Sequence, residues 1–555
     1  MLAKLEKRKL RTAAQILVSM LEVNGIDRVF CLPGESFLPV LDAFLDSSIE
    51  TVTCRHEGSA GFMAVADARL TGKPGICLVS RGPGATNAAI AIHTAQQDAL
   101  PLIVFIGQVP RKNLRRDGFQ EIDYGKMFGD IAKMVAEIID PDRMAEVLAR
   151  AFNVAIGGTP GPVIISLPED ILALPVEMPT LRPASRALTA PNRGGIDETL
   201  TLLQDSKRPL IIAGSGLAGG RGRELLMEAA RRFSVPVAVS FRRHDLFPND
   251  HRLYAGDLGV GNSREQLAAF DESDLILALG TRLGDLTTKG YDFPRSPWPR
   301  QRLVHVYDDS AVVGKHFRPD VGMICDAPSF LEKLLECDLA SKTPNRNAWI
   351  DRLHKINAGL SAWRPRRAAD GVVFGNVIAA LAANVQDDAI IVPDAGISAA
   401  LLYRYFLFRP PQRLFATVTG CMGFGVPGAI AVAMREPGRQ IVCVVGDGGF
   451  MMTGNELALA VERKLSISVF LSNNRSLGTI RVNQEREFPG RPSATDLSGP
   501  DFAAVARSFG CTTYVIENEH AVAETVSAAL RATGIVLVEV KSSLAAVLPA
   551  GAIVS

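Results

Sequence analysis

None of the eight cysteines in this 555-residue chain stands in a Cys-x-x-Cys pair. Cys31, Cys54, Cys77 and Cys443 lie in or beside apolar runs, so buried thiols in a reducing cytoplasm are expected. No apolar run is long enough to span a membrane. Residues 4–11 are basic, but the stretch after them alternates like an amphipathic helix and contains Glu22. It has neither the core nor the cleavage pattern of a signal peptide, so a cytoplasmic protein without a membrane partner is expected. The net charge is only +1, which gives no reason to expect nucleic acid or an anionic membrane surface as a partner. No internal sequence repeat is evident. What remains is 47% hydrophobic and 21% charged, a globular composition. Its length calls for about two to four domains.

Strand-like and helix-like patterns alternate along the chain, which argues for an α/β protein with mostly parallel sheets. Three blocks are visible. In the first, residues 1–180, apolar runs at 28–32, 51–54, 75–80, 102–107 and 163–167 read as strands, with helical stretches at 59–70 and 86–97. Pro175, Pro179, Pro183 and Pro191 then mark a linker. The second block, 192–345, has strand candidates at 210–214, 235–240, 275–280 and 303–307 and ends in a polar stretch, 341–346. The third, 365–555, matches the first in size and pattern. The expected architecture is three doubly wound, mostly parallel-sheet domains.

The third block holds the most informative motif. Gly446-Asp447-Gly448 closes an apolar run, and Asn473-Asn474 follows after 24 intervening residues, at the end of a second run. Both groups would then leave the carboxyl ends of parallel strands, the edge where open α/β sheets bind ligands. A helix is expected to begin near Thr453, with Glu456 completing a capping box. The donors suit a small hard cation. Asp447 offers a carboxylate, Asn474 an amide oxygen and Ser476 a backbone carbonyl, which leaves room for phosphate oxygens and water around magnesium. Gly446, Gly448 and Gly449 let the backbone approach those phosphates.

Gly-Asp-Gly-x24-Asn-Asn resembles the cofactor signature of the thiamine-diphosphate (ThDP) enzymes. The rest of the chain extends the likeness. Arg55-His56-Glu57, Gly82-Pro83-Gly84-Ala85-Thr86-Asn87, Gly118-Phe119-Gln120-Glu121, Gly423-Phe424-Gly425-Val426-Pro427 and Gly478-Thr479-Ile480-Arg481 resemble acetolactate (acetohydroxyacid) synthase large subunits, in family order. The resemblance implies that 1–180 is a pyrimidine-binding domain, 192–345 a central domain, and 365–555 a diphosphate- and magnesium-binding domain. It also implies a homodimer or homotetramer with sites at subunit interfaces, a small 2-oxo acid as substrate, and a place in branched-chain amino acid biosynthesis.

Residue roles follow from the same resemblance. In the family a glutamate at the position of Glu57 hydrogen-bonds N1′ of the aminopyrimidine ring. That bond favours the imino tautomer, which removes the proton from thiazolium C2. The cofactor then does the hard chemistry and the protein supplies geometry. Pro83 and Asn87 lie in a matching cofactor-facing motif. Cys421 and Met422 match the segment whose bulky side chain wedges between the two cofactor rings; as a bare residue, Met422 also reads as a core filler. Ile397 and Ser398 match the loop that touches the diphosphate, where synthases commonly carry Gln-His. Phe119 and Gln120 match a motif lining the substrate side of C2. Arg282 matches an arginine used near the second substrate, and His93 reads equally as catalytic or core. Residues 482–498, with Arg486 and Arg491, read as a mobile lid.

Two departures keep alternatives open. Pro33-Gly34-Glu35-Ser36 replaces the usual Pro-Gly-Gly-Ala, and the surroundings of Arg282 differ from those in synthases. A carboligase transferring a two-carbon unit is the leading reading. A 2-oxo acid decarboxylase, or a lyase or hydrolase acting on another substrate, is the alternative. The eight histidines include no His-His pair, which argues against the pyruvate-decarboxylase type. The turn Ala213-Gly214-Ser215-Gly216 leaves FAD in the central domain as a further open alternative.

Overall fold

The computed structural model describes residues 10–337 and 344–547. Most of the basic start and residues 341–343 of the polar stretch lie outside the described residues. Three six-stranded sheets carry the chain. In the N-terminal sheet the strands lie in the order Glu50–Thr53, Arg28–Cys31, Gly75–Ser80, Leu102–Gln108, Pro162–Pro168, Met134–Glu137. All of its pairings are parallel. The C-terminal sheet runs Arg413–Leu414, Ile390–Pro393, Ile441–Gly446, Ile467–Asn473, Ile535–Lys541, Thr512–Ile516, again all parallel. Numbered within each sheet, both read 2-1-3-4-6-5. The similarity of the outer blocks is therefore one of topology. The central sheet reads 3-2-1-4-5-6, the strand order of dinucleotide-binding folds.

The strand runs expected from sequence all appear, shifted by a residue or two at their ends. Short or edge strands, such as Met134–Glu137 and Val321–Met323, are additions that no long apolar run announces. Pro175, read as the start of a linker, instead lies in a strand: Pro175–Glu177 pairs antiparallel with Leu10–Thr12. Among the described residues no helix is long and apolar enough to cross a membrane.

The outer domains share one core. The helix Glu57–Thr71 is buried almost all round, because small residues let its neighbours approach. A Cβ on Gly61 would lie 2.4 Å from the Cβ of Ala91 on helix Arg81–Asp98. On its other side lies helix Gly425–Arg435, with Phe62 and Phe424 edge to face at 5.8 Å. Phe62, Met63, Phe424, Val426 and Ile430 belong to a single apolar cluster that crosses the domain boundary. At its margin Arg435 pairs with Asp67, whose side chain is 6% exposed, and with the exposed Asp27.

Removing one partner of a buried ion pair leaves an uncompensated charge and costs about 3–5 kcal/mol. Arg435→Met is therefore expected to lower the unfolding midpoint, and Asp67→Asn added to it to recover most of the loss. Equal midpoints for Arg435→Met and the native chain in urea titrations would refute this role for the pair.

Candidate active site

The Gly446-Asp447-Gly448 turn and the Asn473-Asn474 turn are neighbours because their strands pair, with Gly446 opposite Ser472. A helical stretch does begin after Thr453, as the single turn Gly454–Glu456 running into Leu457–Glu462, but an unexpected short helix, Asp447–Thr453, precedes it. Thr453 Oγ1 donates to the carbonyl of Gly423 at 2.9 Å, and Glu456 is held elsewhere, so no capping box forms. Asp447 thus occupies the first turn of a short helix, with its carboxylate facing the backbone N–H groups of Gly448, Arg475 and Ser476. Gly448 N donates to Oδ1 at 2.8 Å. The other oxygen, Oδ2, is buried without a partner. Burial pushes the Asp447 carboxyl up to about 6.

The second turn is closed by its own side chains. Arg475 adopts φ +53°, a left-handed conformation rare outside glycine. This lets Asn474 Oδ1 accept from Ser476 N at 3.1 Å, while Arg475 O accepts from Leu497 N at 2.8 Å. Asn473 turns away and donates to the fully buried Glu539 at 2.7 Å. The structure therefore brings Asp447, Asn474 and Ser476 to one edge. Ile397 joins them: a Cβ on Gly478 would lie 2.8 Å from Asn474 Nδ2 and 3.2 Å from Ile397 Cγ2. Ser398 is buried in the first turn of helix Ile397–Tyr405. Met422 lies across the turn, its Cε 3.1 Å from where a Gly448 side chain would begin. Gly449 abuts Asp394 in the same way, at 3.0 Å.

Asp394 was not anticipated as a site residue. It ends strand Ile390–Pro393, is 2% exposed, and accepts N–H groups from Ala395, Gly423 and Gly425 at 2.6–3.0 Å. Burial pushes its carboxyl to about 6 as well. The only hint in the sequence was an aspartate after an apolar run, a pattern too common to single out.

Glu57 stands apart from this cluster. It opens helix Glu57–Thr71, half-buried, with His56 as N-cap. Its Oε2 accepts from Asn87 Nδ2 at 2.9 Å, and a Cβ on Gly84 would lie 3.5 Å from Oε1. Gly82, Pro83 and Gly84 lie inside the helix Arg81–Asp98, which starts before the expected 86. Gly82 N donates to Gln120 O at 2.9 Å, which places the Gln120 loop beside the Glu57 group. Phe119 is 76% exposed, and Gln120 is exposed in a left-handed conformation. No hydrogen bond joins Glu57 to Asp447. The two halves are linked through Arg55, two residues before Glu57: its N–H donates to the Glu456 carboxylate at 2.9 Å and its guanidinium to Glu462 at 2.6 Å.

The remaining candidates lie farther out. Cys421 contacts Thr94 and Thr417 at 3.4 and 3.6 Å. Arg282 is tethered to the carbonyl of Gln97, and both line an interdomain cavity with His93. Residues 482–487 of the expected lid are helical, in Gly478–Glu487. Its remainder is tied back by Leu477 N to Thr495 O at 2.8 Å. Arg486 and Arg491 are exposed.

Three family models match in sequence. They are the thiamine pyrophosphate enzyme N-terminal TPP binding domain over residues 11–127, the central domain over 196–334, and the C-terminal TPP binding domain over 394–540. The chain is 33% identical over 520 residues to the acetolactate synthase isozyme 1 large subunit of Escherichia coli (strain K12), covering 92% of this chain and 90% of the relative. It is 31% identical over 547 residues to the acetolactate synthase large subunit of Parasynechococcus marenigrum, covering 95% and 87%. A probable acetolactate synthase large subunit of Methanocaldococcus jannaschii is 30% identical over 514 residues, covering 90% and 86%.

The raised carboxyl of Asp447 has a stability consequence with a definite sign. Between its ordinary value of 3.8 and about 6, the folded metal-free protein holds a proton that the unfolded chain has released. Stability from this group is therefore lost as pH rises through that window, by about 3 kcal/mol in all. Melts of metal-free protein are expected to show Asp447→Asn gaining on the native chain from pH 4 to 7. A difference independent of pH would contradict a carboxyl group raised by burial.

Proposed function

The chain belongs to the thiamine pyrophosphate enzymes and is of the acetolactate synthase type. From that premise we propose that it decarboxylates a 2-oxo acid such as pyruvate and transfers the two-carbon unit to a second carbonyl. With pyruvate as both donor and acceptor, the products are acetolactate and carbon dioxide.

The observation that carries the reading is the unpartnered oxygen of Asp447 at the carboxyl edge. A buried carboxylate oxygen with no partner is costly, and a divalent cation there would remove the cost. Among the described residues no cluster of three or more His, Cys, Asp or Glu side chains is placed to hold a metal. A cation at this edge would thus take one carboxylate, from Asp447, with Asn474 Oδ1 and the Ser476 carbonyl. Each of those two oxygens makes one internal hydrogen bond and keeps a second lone pair. Such a set suits magnesium completed by phosphate oxygens. Gly446, Gly448 and Gly449 and the start of helix Ile397–Tyr405 would face the diphosphate.

When bound, the thiazolium ring supplies the electron sink that allows carbon dioxide to leave. Glu57 would hold the proton shared with ring N1′, kept in orientation by Asn87. Met422 would hold the cofactor bent. Phe119 and Gln120 would line the acceptor side. Phe119, Met451, Met452 and Ile480 are exposed apolar residues near the two half-sites. A second copy covering them would set Glu57 of one chain against Asp447 of the other, in a homodimer or homotetramer. The central sheet's carboxyl edge opens on a cavity of about 670 Å³ lined by Ser215, Gly216, Gly219, Gly220, Asp308 and Asp326. That set fits the ADP end of an FAD. Carboligation has no net redox change, so a flavin there would be structural.

One observation favours another acceptor or a lyase reaction. Ser36 turns inward to Ser80 at 2.9 Å and leaves Glu35 exposed on the carboxyl edge of Arg28–Cys31.

Proton NMR of the protein with ThDP, magnesium and pyruvate tests the reading: acetolactate or acetoin is expected. Acetaldehyde alone would replace the carboligase reading with a decarboxylase. Glu57→Gln is expected to retain ThDP but to slow C2 proton exchange at least a hundredfold. Exchange at the native rate would remove Glu57 from the mechanism.

A further inference from the structure

Met422 is only half-buried, yet the chain leading to it is held by charges from two other domains, of which Asp98, Arg242 and Arg243 are buried. Arg69 donates to the carbonyls of Leu414 and Ala416 at 2.9 and 2.7 Å. Arg243 donates to Ala416 O at 3.2 Å, and Arg242 donates to Thr417 O. Asp98, at the end of helix Arg81–Asp98, accepts the next N–H, from Val418, at 2.8 Å. Its other oxygen pairs with Arg243 at 3.0 Å. Asp98 and Arg243 are 3% and 4% exposed. Beyond Met422, Asp394 takes over, accepting from Gly423 and Gly425.

Four charged side chains therefore converge on the backbone of residues 414–418, a segment with no catalytic group of its own. Buried ion pairs are weak devices for stability. Their geometry is well suited to fixing a backbone, because each guanidinium bonds carbonyls in one orientation only. At Gly420 the chain turns with φ +64°, and the Arg242 guanidinium lies 3.3 Å from where a side chain would start. The turn that delivers Met422 is thus shaped against a central-domain arginine.

We propose that Asp98 is a positioning residue for the reaction. Bonded to Arg243 and to Val418 N, it joins all three domains at the segment that sets the height and direction of Met422. Asp98 also lines the two interdomain cavities that flank this segment; its proposed effect on the thiazolium carbon runs through Met422, and the double-mutant cycle isolates that part. The inference rests on the ThDP reading of the site.

The test is a double-mutant cycle between Asp98 and Met422 in the ThDP- and magnesium-loaded protein. Its readouts are C2 proton exchange of the bound cofactor, which needs no knowledge of the acceptor, and the near-ultraviolet circular dichroism of that cofactor. Asp98→Ala is expected to slow exchange about tenfold at saturating ThDP and to alter the cofactor's dichroism. Asp98→Asn, which keeps an acceptor for Val418 N but drops the charge facing Arg243, is expected to fall between and stands in if the alanine variant does not fold. In a Met422→Ala background either substitution is expected to change exchange less than twofold. If the Asp98 effect is equally large without Met422, or if only the melting temperature moves, the positioning role is wrong. If the native protein itself shows no C2 exchange, the ThDP reading fails and the proposal with it.

Discussion

Two buried carboxylates organise the C-terminal half of this molecule. Asp394 and Asp447 leave adjacent parallel strands of one sheet, and burial raises both toward neutrality. Water cannot stabilise them there, so the chain does so with backbone N–H groups. This requirement explains the glycines around them. Gly423 and Gly425 send their N–H groups to Asp394, and Gly448 sends its own to Asp447. A side chain on Gly425 or Gly449 would meet Asp394 at 3.0 Å. The difference between the two acids is informative. Asp394 is satisfied on both oxygens, whereas Asp447 keeps one buried oxygen without a partner, the position at which the proposed cation would bind.

The same logic of close approach governs the join between the outer domains. Glycine and alanine on helix Glu57–Thr71 let it lie between helices Arg81–Asp98 and Gly425–Arg435, so two domains far apart in sequence share one core. Glu57 opens that helix, and the N–H of Arg55 just before it is held by Glu456, from the helical stretch that follows Asp447. Glu57 and Asp447 of one chain are thus braced against each other mechanically, although in the proposed two-chain assembly each would serve a different site. Rigidity of this kind is what placing a proton within hydrogen-bond reach of a ring nitrogen requires.

Legibility in the sequence followed the range of each interaction. The strand ends carrying Gly446-Asp447-Gly448 and Asn473-Asn474 were readable, because apolar runs of fixed length and a fixed spacing are local signals. The equal topology of the outer sheets was foreshadowed by their similar patterns. Glu456 was misread for the opposite reason: three residues after Thr453 it mimics a capping box, but its partner is 401 residues away in sequence. Asp98, Arg242 and Arg243 escaped notice because they bond backbone groups of a distant segment, and backbone acceptors carry no sequence signature. The helix starts at Arg81 and Asp447 were also hidden, since Gly-rich openings read as loops until packing is known.

These long-range contacts give the central domain a role that its own residues do not suggest. It places no side chain among the Asp447 or Glu57 groups, and its sheet edge faces a separate cavity. Its contribution is Arg242 and Arg243, which reach into the C-terminal domain and hold the carbonyls of Ala416 and Thr417. The His244 ring stacks on Tyr403 of helix Ile397–Tyr405, whose first turn carries Ile397 and Ser398. The two C-terminal segments that border the Asp447 turn, the one with Met422 and the one with Ile397, are therefore each seated on the same central-domain loop. Displacing that loop would move both segments together, and this makes the third domain part of the frame of the candidate site.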